Sequence, residues 1–235
     1  MSPQSSGKAR GRRSSVMRRH TGPLRSKAPR PLMIVLITLV GVCVGIGVAA
    51  CGVPAEGGNV GELRGWVMDT PILKPDITLT DTNGEAFDLR TETEGYLTLV
   101  FFGYTHCPDI CPVHMANLGA VFGDLRPEVR HRTKVVFVTT DPERDTPERL
   151  RAWLDNFDRE FIGLRGPLED INAALSAMML PGVAVIPGEH GSEPLIGHPS
   201  AILAFGPDGT ARVRYPFGVR QSDWAHDLPL LVQGF

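Results

Sequence analysis

The chain has 235 residues, 42% hydrophobic and 21% charged, too apolar for wholesale disorder and long enough for one folded body with an appendage. Its formal charge of −2 hides an asymmetry: the first 31 residues hold nine of the 24 Lys/Arg and no Asp/Glu, so 15 bases face 26 acids in the rest, a balance of −11. So acidic a body does not attract polyanions, which argues against nucleic acid as a partner and makes the basic head a membrane-topology signal.

Behind the basic stretch that ends at Arg30, residues 32–50 ("LMIVLITLVGVCVGIGVAA") run 19 positions without a charge, long enough to cross a bilayer. Lys and Arg on the N-terminal side hold that side in the cytoplasm, so everything after residue 51 is expected at the outer face of a bacterial cytoplasmic membrane. The run either stays as an uncleaved anchor or is a secretory signal. Its end, "VAAC" at Val48 to Cys51, resembles the bacterial lipobox, in which the cysteine is lipidated and becomes the mature N-terminus; Cys51 is the expected anchor. Cys43, inside the run, reads as a small hydrophobe. The expected organisation is therefore an anchor over 1–51, a flexible tether over 52–70 and one folded domain over 71–235.

In that domain Ile77, Leu79, Phe87 and Leu89 alternate around Asn83-Gly84, a hairpin signal. "YLTLVFFG" (Tyr96 to Gly103) and "KVVFVTTD" (Lys134 to Asp141) are continuous apolar runs of the buried-strand kind. Between them Met115, Leu118 and Phe122 repeat at helical spacing, with Pro112 in the first turn and Gly123 at the exit. Strand, helix, strand in that order implies a parallel crossover. Further helices are expected over Thr146 to Phe157, Glu169 to Met179 and Ser222 to Leu231, with two strands around the turn Gly206 to Gly209. The sum is an α/β sandwich.

Where the first parallel strand turns into its helix stands "THCPDICP", with cysteines at 107 and 111. A helix starting at Pro112 puts Cys111 at its N-cap and Cys107 just before it, so both thiols are expected to ionise below the usual value of about 8.5. Thiolate attacks disulfides and also binds soft metals, and an exported thiol pair can simply oxidise to a structural bridge. A bridge closing so short a loop adds roughly 2 kcal/mol on the entropic model, a weak reason for its presence.

"GYTHCPDICP", then "TTDPERDTPERL", then "GHPSAILAFGPDG" resemble the Sco/SenC family in three blocks and in their order, over about residues 71–231. The resemblance implies a thioredoxin-like fold, with a central mixed sheet, flanking helices and an N-terminal hairpin extension. It implies copper as the metal, held by Cys107, Cys111 and His198, and cytochrome c oxidase subunit II or another exported cuproprotein as the client. Two thiolates suit Cu(I) and an added imidazole accommodates Cu(II). A closed zinc site would need a fourth ligand at zinc-finger spacing, which is absent. Around the histidine this chain has Gly197 and Pro199 where the family usually has Asp and Ser or Thr, and Pro199 sits where thioredoxin folds often carry a cis proline. His114, three residues beyond Cys111, and Asp141, at a strand end, are candidates for the surroundings of the metal; His106 is at best outside the ligand set. Met178-Met179 reads as core, and His20, His131, His190 and His226 as surface residues. The rival reading is a thiol-disulfide oxidoreductase built on the same cysteines, for which His198 is superfluous.

Overall fold

The computed structural model describes residues 62–188 and 193–234. The basic head, the apolar run, Cys51 and most of the tether lie outside the described residues. In chain order the elements are β1 (Trp66–Leu73), β2 (Thr78–Asp81), β3 (Ala86–Asp88), β4 (Leu97–Gly103), α1 (Ile110–Asp124), α2 (Pro127–Arg130), β5 (Thr133–Thr139), α3 (Pro147–Leu154) and β6 (Ile162–Arg165). There follow α4 (Leu168–Ala177), β7 (Ala184–Ile186), β8 (Leu195–Gly197), β9 (Ile202–Phe205), β10 (Thr210–Tyr215) and α5 (Gln221–Leu231). Eight strands form one mixed sheet in the order β1-β10-β9-β4-β5-β6-β2-β3, with β4, β5 and β6 parallel and the other pairs antiparallel. This is the expected thioredoxin-like α/β architecture.

Side-chain alternation sorts the central strands onto two faces. Leu97, Leu99 and Phe101 of β4 and Val135 and Phe137 of β5 pack with Cys111, Met115 and Leu118 of α1, Leu150 of α3 and Trp224 of α5. Val100, Phe102, Val136 and Val138 face the other way, against Ile171, Ala174 and Leu175 of α4. Because both faces are covered, the two runs need no polar alternation, and β4 is buried from end to end. In β10 a register shift between Ala211 and Val213 lets Ala211 pack on one face and Val213 on the other.

The hairpin forms where expected. Gly84 sits at φ +86° and Asp81 accepts the backbone N–H groups of Asn83 (2.8 Å) and Glu85 (2.9 Å), closing the turn between β2 and β3. Thr146 caps α3 by accepting the N–H of Arg149, with Pro147 in the first turn, although the helix stops at Leu154 rather than Phe157. Three expectations are corrected. The folded body begins before residue 71, because β1 starts at Trp66 and pairs with β10, a non-local partner that the largely exposed β1 sequence does not announce. Helix α1 begins at Ile110, two residues before Pro112, which occupies the third helical position, where no intrahelical N–H is required. Only Met178 of the methionine pair is core: it is fully buried, whereas Met179 is 62% exposed at φ +54°, in the left-handed turn that closes α4. Among the described residues no helix is long and apolar enough to cross a membrane.

Candidate metal centre

Strand β4 ends at Gly103, and the next six residues form the loop that feeds α1. The loop is pinned from below by Asp145, fully buried, which accepts the Thr105 N–H (3.0 Å), the Thr105 hydroxyl (2.6 Å) and the Thr139 hydroxyl (2.6 Å). Asp145 thereby ties the cysteine loop to the end of β5 and leaves little of its own oxygen surface free. The Tyr104 carbonyl accepts the Cys107 N–H at 3.2 Å, which turns the chain toward the helix.

With α1 starting at Ile110, Cys107 rather than Cys111 stands at the helix terminus. Asp109 makes no side-chain cap, and the Cys111 N–H points to the Cys107 sulfur at 3.5 Å. The two thiols are consequently unequal, which corrects the expectation that both ionise readily. Donation from the Cys111 S–H, with help from the N–H groups of Cys111 and Asp109, lowers Cys107 to about 3, against the opposing effect of burial. Cys111 lies fully inside the core, and burial, then the neighbouring Cys107 sulfur, push its thiol up. Cys107 is half-buried and both cysteines are reduced. The pair amounts to one accessible thiolate supported by one sheltered thiol.

His198 follows β8 and reaches the same place from the other half of the chain. Its Nε2 lies 3.4 Å from the Cys111 sulfur, and its Nδ1 lies 2.9 Å from the Pro199 carbonyl. A carbonyl only accepts, so Nδ1 carries the proton and Nε2 turns its lone pair toward the sulfurs, the tautomer a metal-binding imidazole needs. The backbone of Pro199 thus supplies the orientation that an acidic neighbour would give. No cis peptide bond occurs among the described residues, so the bond preceding Pro199 is trans. One ligand atom from each of Cys107, Cys111 and His198 lies within 4.8 Å of the other two. Two sulfurs and one nitrogen in a partly buried pocket fit copper in either oxidation state better than a hard cation.

The other candidates are placed away from that triangle. The His114 Nε2–H donates to the Ser200 carbonyl at 2.9 Å, and the ring packs on Phe101 (5.0 Å) and Phe217 (5.5 Å). It therefore braces the turn after His198 and does not join the cluster of Cys107, Cys111 and His198. Burial lowers its pKa, which keeps the ring neutral. Asp141 accepts from Arg144 and groups with His106 and Asp145 instead of the thiols. His190 lies outside the described residues. Sequence reading passed over Gly103, Tyr104 and Asp145. Their signal was present in "GYTHC" and "DPERDTP", but only the fold brings those segments together.

A family model described as SCO1/SenC matches residues 68–233. A Stutzerimonas stutzeri protein named for copper binding is 36% identical over 138 residues, 59% of this chain and 66% of its own length. The chain thus spans just under two thirds of that relative. Among solved structures, Bradyrhizobium japonicum ScoI with copper bound is 28% identical at a TM-score of 0.60, covering 68% of this chain and 99% of that one. The apo Sco1 protein of Thermus thermophilus is 26% identical at a TM-score of 0.64, covering 76% and 99%.

Proposed function

The chain belongs to the SCO1/SenC family, and from that premise we propose that it is a membrane-anchored copper metallochaperone acting outside the cytoplasm. It takes up copper through Cys107, Cys111 and His198 and delivers it to an exported cuproprotein, the dinuclear copper site of cytochrome c oxidase subunit II. The observation that carries the reading is the convergence of two sulfurs and a correctly oriented imidazole within 4.8 Å. Thiol-disulfide exchange uses the sulfurs alone and gives no role to His198.

The residues suggest how cargo enters and leaves. Cys107 is already a thiolate at neutral pH, so uptake releases a proton only from Cys111. The half-buried Cys107 sulfur is the one an incoming partner thiol can displace, while Cys111 and His198 keep hold from inside. That order of ligand exchange moves copper with no net redox change.

The soluble body from about Gly61, reduced and titrated with Cu(I) and then Cu(II), tests the reading. One copper per chain in each state is expected, with sulfur-to-copper charge-transfer bands for Cu(II). Uptake that persists after both cysteines are replaced by serine overturns it. Delivery is tested in cells, where loss of the chain should leave oxidase subunit II without its copper.

A further inference from the structure

We infer that Tyr104 is a positioning residue for His198, holding the strand that carries the histidine and so setting the geometry offered to Cu(II); this rests on the copper reading above. Strand β8 is three residues long and, among the described residues, pairs only with β7, in a two-stranded sheet separate from the main one. The main sheet therefore does not fix the approach to His198. Beside the buried Ile196 side chain, what docks β8 onto the body is the Ile196 N–H, which donates to the Tyr104 phenol oxygen at 3.4 Å two residues before the histidine. Just ahead of the strand, Arg144 donates to Glu193 and to the Pro194 carbonyl, and its guanidinium stands 5.9 Å from the Tyr104 ring.

Tyr104 also meets the imidazole directly. Its ring stands edge-on to His198 at 5.6 Å and 79°, and Phe101 does the same from another side at 5.9 Å and 76°. Its carbonyl accepts the Cys107 N–H, and its own backbone donates toward the Cys111 sulfur. One residue thus touches all three ligands, but only its phenol oxygen does what phenylalanine could not. That oxygen acts on β8 and hence on His198 alone. Cu(I) is satisfied by two sulfurs, whereas Cu(II) depends on a nitrogen held at a set angle. Loosening β8 should therefore weaken Cu(II) and spare Cu(I).

The test compares Tyr104→Phe and Tyr104→Leu with the parent in the soluble body. In the metal-free protein the Ile196 amide should exchange with solvent at least about tenfold faster in Tyr104→Phe, because its acceptor is gone. Cu(II) affinity should fall about tenfold with altered electron paramagnetic resonance parameters, and Cu(I) affinity should stay within about twofold. Tyr104→Leu should lose more of the Cu(II) signature, and phenylalanine should restore part of it through the ring contact. Unchanged Ile196 exchange and Cu(II) spectra in Tyr104→Phe overturn the inference, as does an equal loss of both copper states. Should the parent bind neither state, the copper reading itself fails, while Ile196 exchange still decides whether Tyr104 holds β8.

Discussion

The Nε2 atom of His198 lies 3.4 Å from the sulfur of Cys111, across 87 residues of sequence. Helix α1 brings the cysteine into the core, and the short two-stranded sheet of β7 and β8 brings the histidine over it. Neither segment makes a site without the other. The Pro199 carbonyl, by holding the proton on Nδ1, makes the approach useful to a metal.

Replacing His198 by alanine should therefore separate copper binding from thiol chemistry. Both sulfurs and the helix terminus that activates Cys107 remain, so disulfide reduction should stay within about tenfold, a barrier change of roughly 1.4 kcal/mol. Stable Cu(II) spectra should be lost, because two unrestrained thiolates tend to be oxidised by Cu(II). Intact Cu(II) binding in His198→Ala, with oxidase assembly failing only when thiol reductase activity fails, would make the protein an oxidoreductase.

Oxidation should act as the opposite perturbation. Cys107 and Cys111 are free, one in the loop before α1 and the other in its first turn, with the Cys111 N–H 3.5 Å from the Cys107 sulfur. An oxidant that joins them removes both thiolates, so the oxidised protein should take up no copper until reduced. Thiol counting alongside copper analysis checks this, and full loading with no free thiol would refute the proposed ligands.

What the sequence made legible was whatever is written locally. The apolar runs of β4 and β5, the Asn83-Gly84 turn and the Thr146-Pro147 helix start are each set by residues close together in the chain. The edge strand β1 and the hairpin of β7 and β8 were missed because partners far along the chain define them. The cysteines and His198 were legible through motif resemblance. The inequality of the thiols was not, since it depends on where α1 starts and on how deeply Cys111 is buried. Asp145 stayed hidden for a related reason: its carboxylate matters only because folding aims Thr105 and Thr139 at it.

Anchoring turns on Cys51, which lies outside the described residues. If "VAAC" is a lipobox, Cys51→Ala should block lipidation and leave an unprocessed precursor in the membrane fraction. Mass spectrometry of the mature parent protein decides the matter. An acyl-free chain still carrying residues 32–50 would establish a retained transmembrane helix in place of a lipid anchor.

Lys74 should contribute stability that grows as the pH rises in alkaline solution. This buried side chain donates to the Thr93 carbonyl (3.0 Å), the Thr93 hydroxyl (2.7 Å) and the Thr98 hydroxyl (3.0 Å). Burial, then the Lys134 cation, lower its pKa from 10.5 to about 8, with Asp208 opposing them. Between those values the unfolded chain holds a proton that the folded one has released, so raising the pH strips the unfolded state alone and favours folding. The contribution is full above pH 10.5, is lost as the pH falls through 8, and is on the order of 3 kcal/mol. In urea denaturation at intervals from pH 7.5 to 10.5 the parent should gain stability relative to Lys74→Met as the pH rises, since the raised Cys111 and Tyr215 act equally in both; parallel profiles would refute the assignment.

Gly103 offers the sharpest test of how tightly the site is built. A Cβ added there would lie 2.6 Å from the Cys111 sulfur and 3.1 Å from the Phe137 ring. Cys111 and Phe137 are fully buried, so neither can swing into solvent to make room. The sulfur has to leave its place, or β4 has to shift from β5. Gly103→Ala should thus destabilise the fold by about 1 to 3 kcal/mol and weaken both copper states at least tenfold, unlike the selective loss expected at His198. Gly123 is the matched control, because it lies within α1 with nothing inside 4 Å of an added Cβ. There alanine should leave copper binding unchanged and stabilise the helix by up to about 1 kcal/mol. Denaturation midpoints and copper titrations of the two variants check both halves. Normal copper binding by Gly103→Ala would mean that the Cys111 sulfur need not occupy its present position to serve as a ligand.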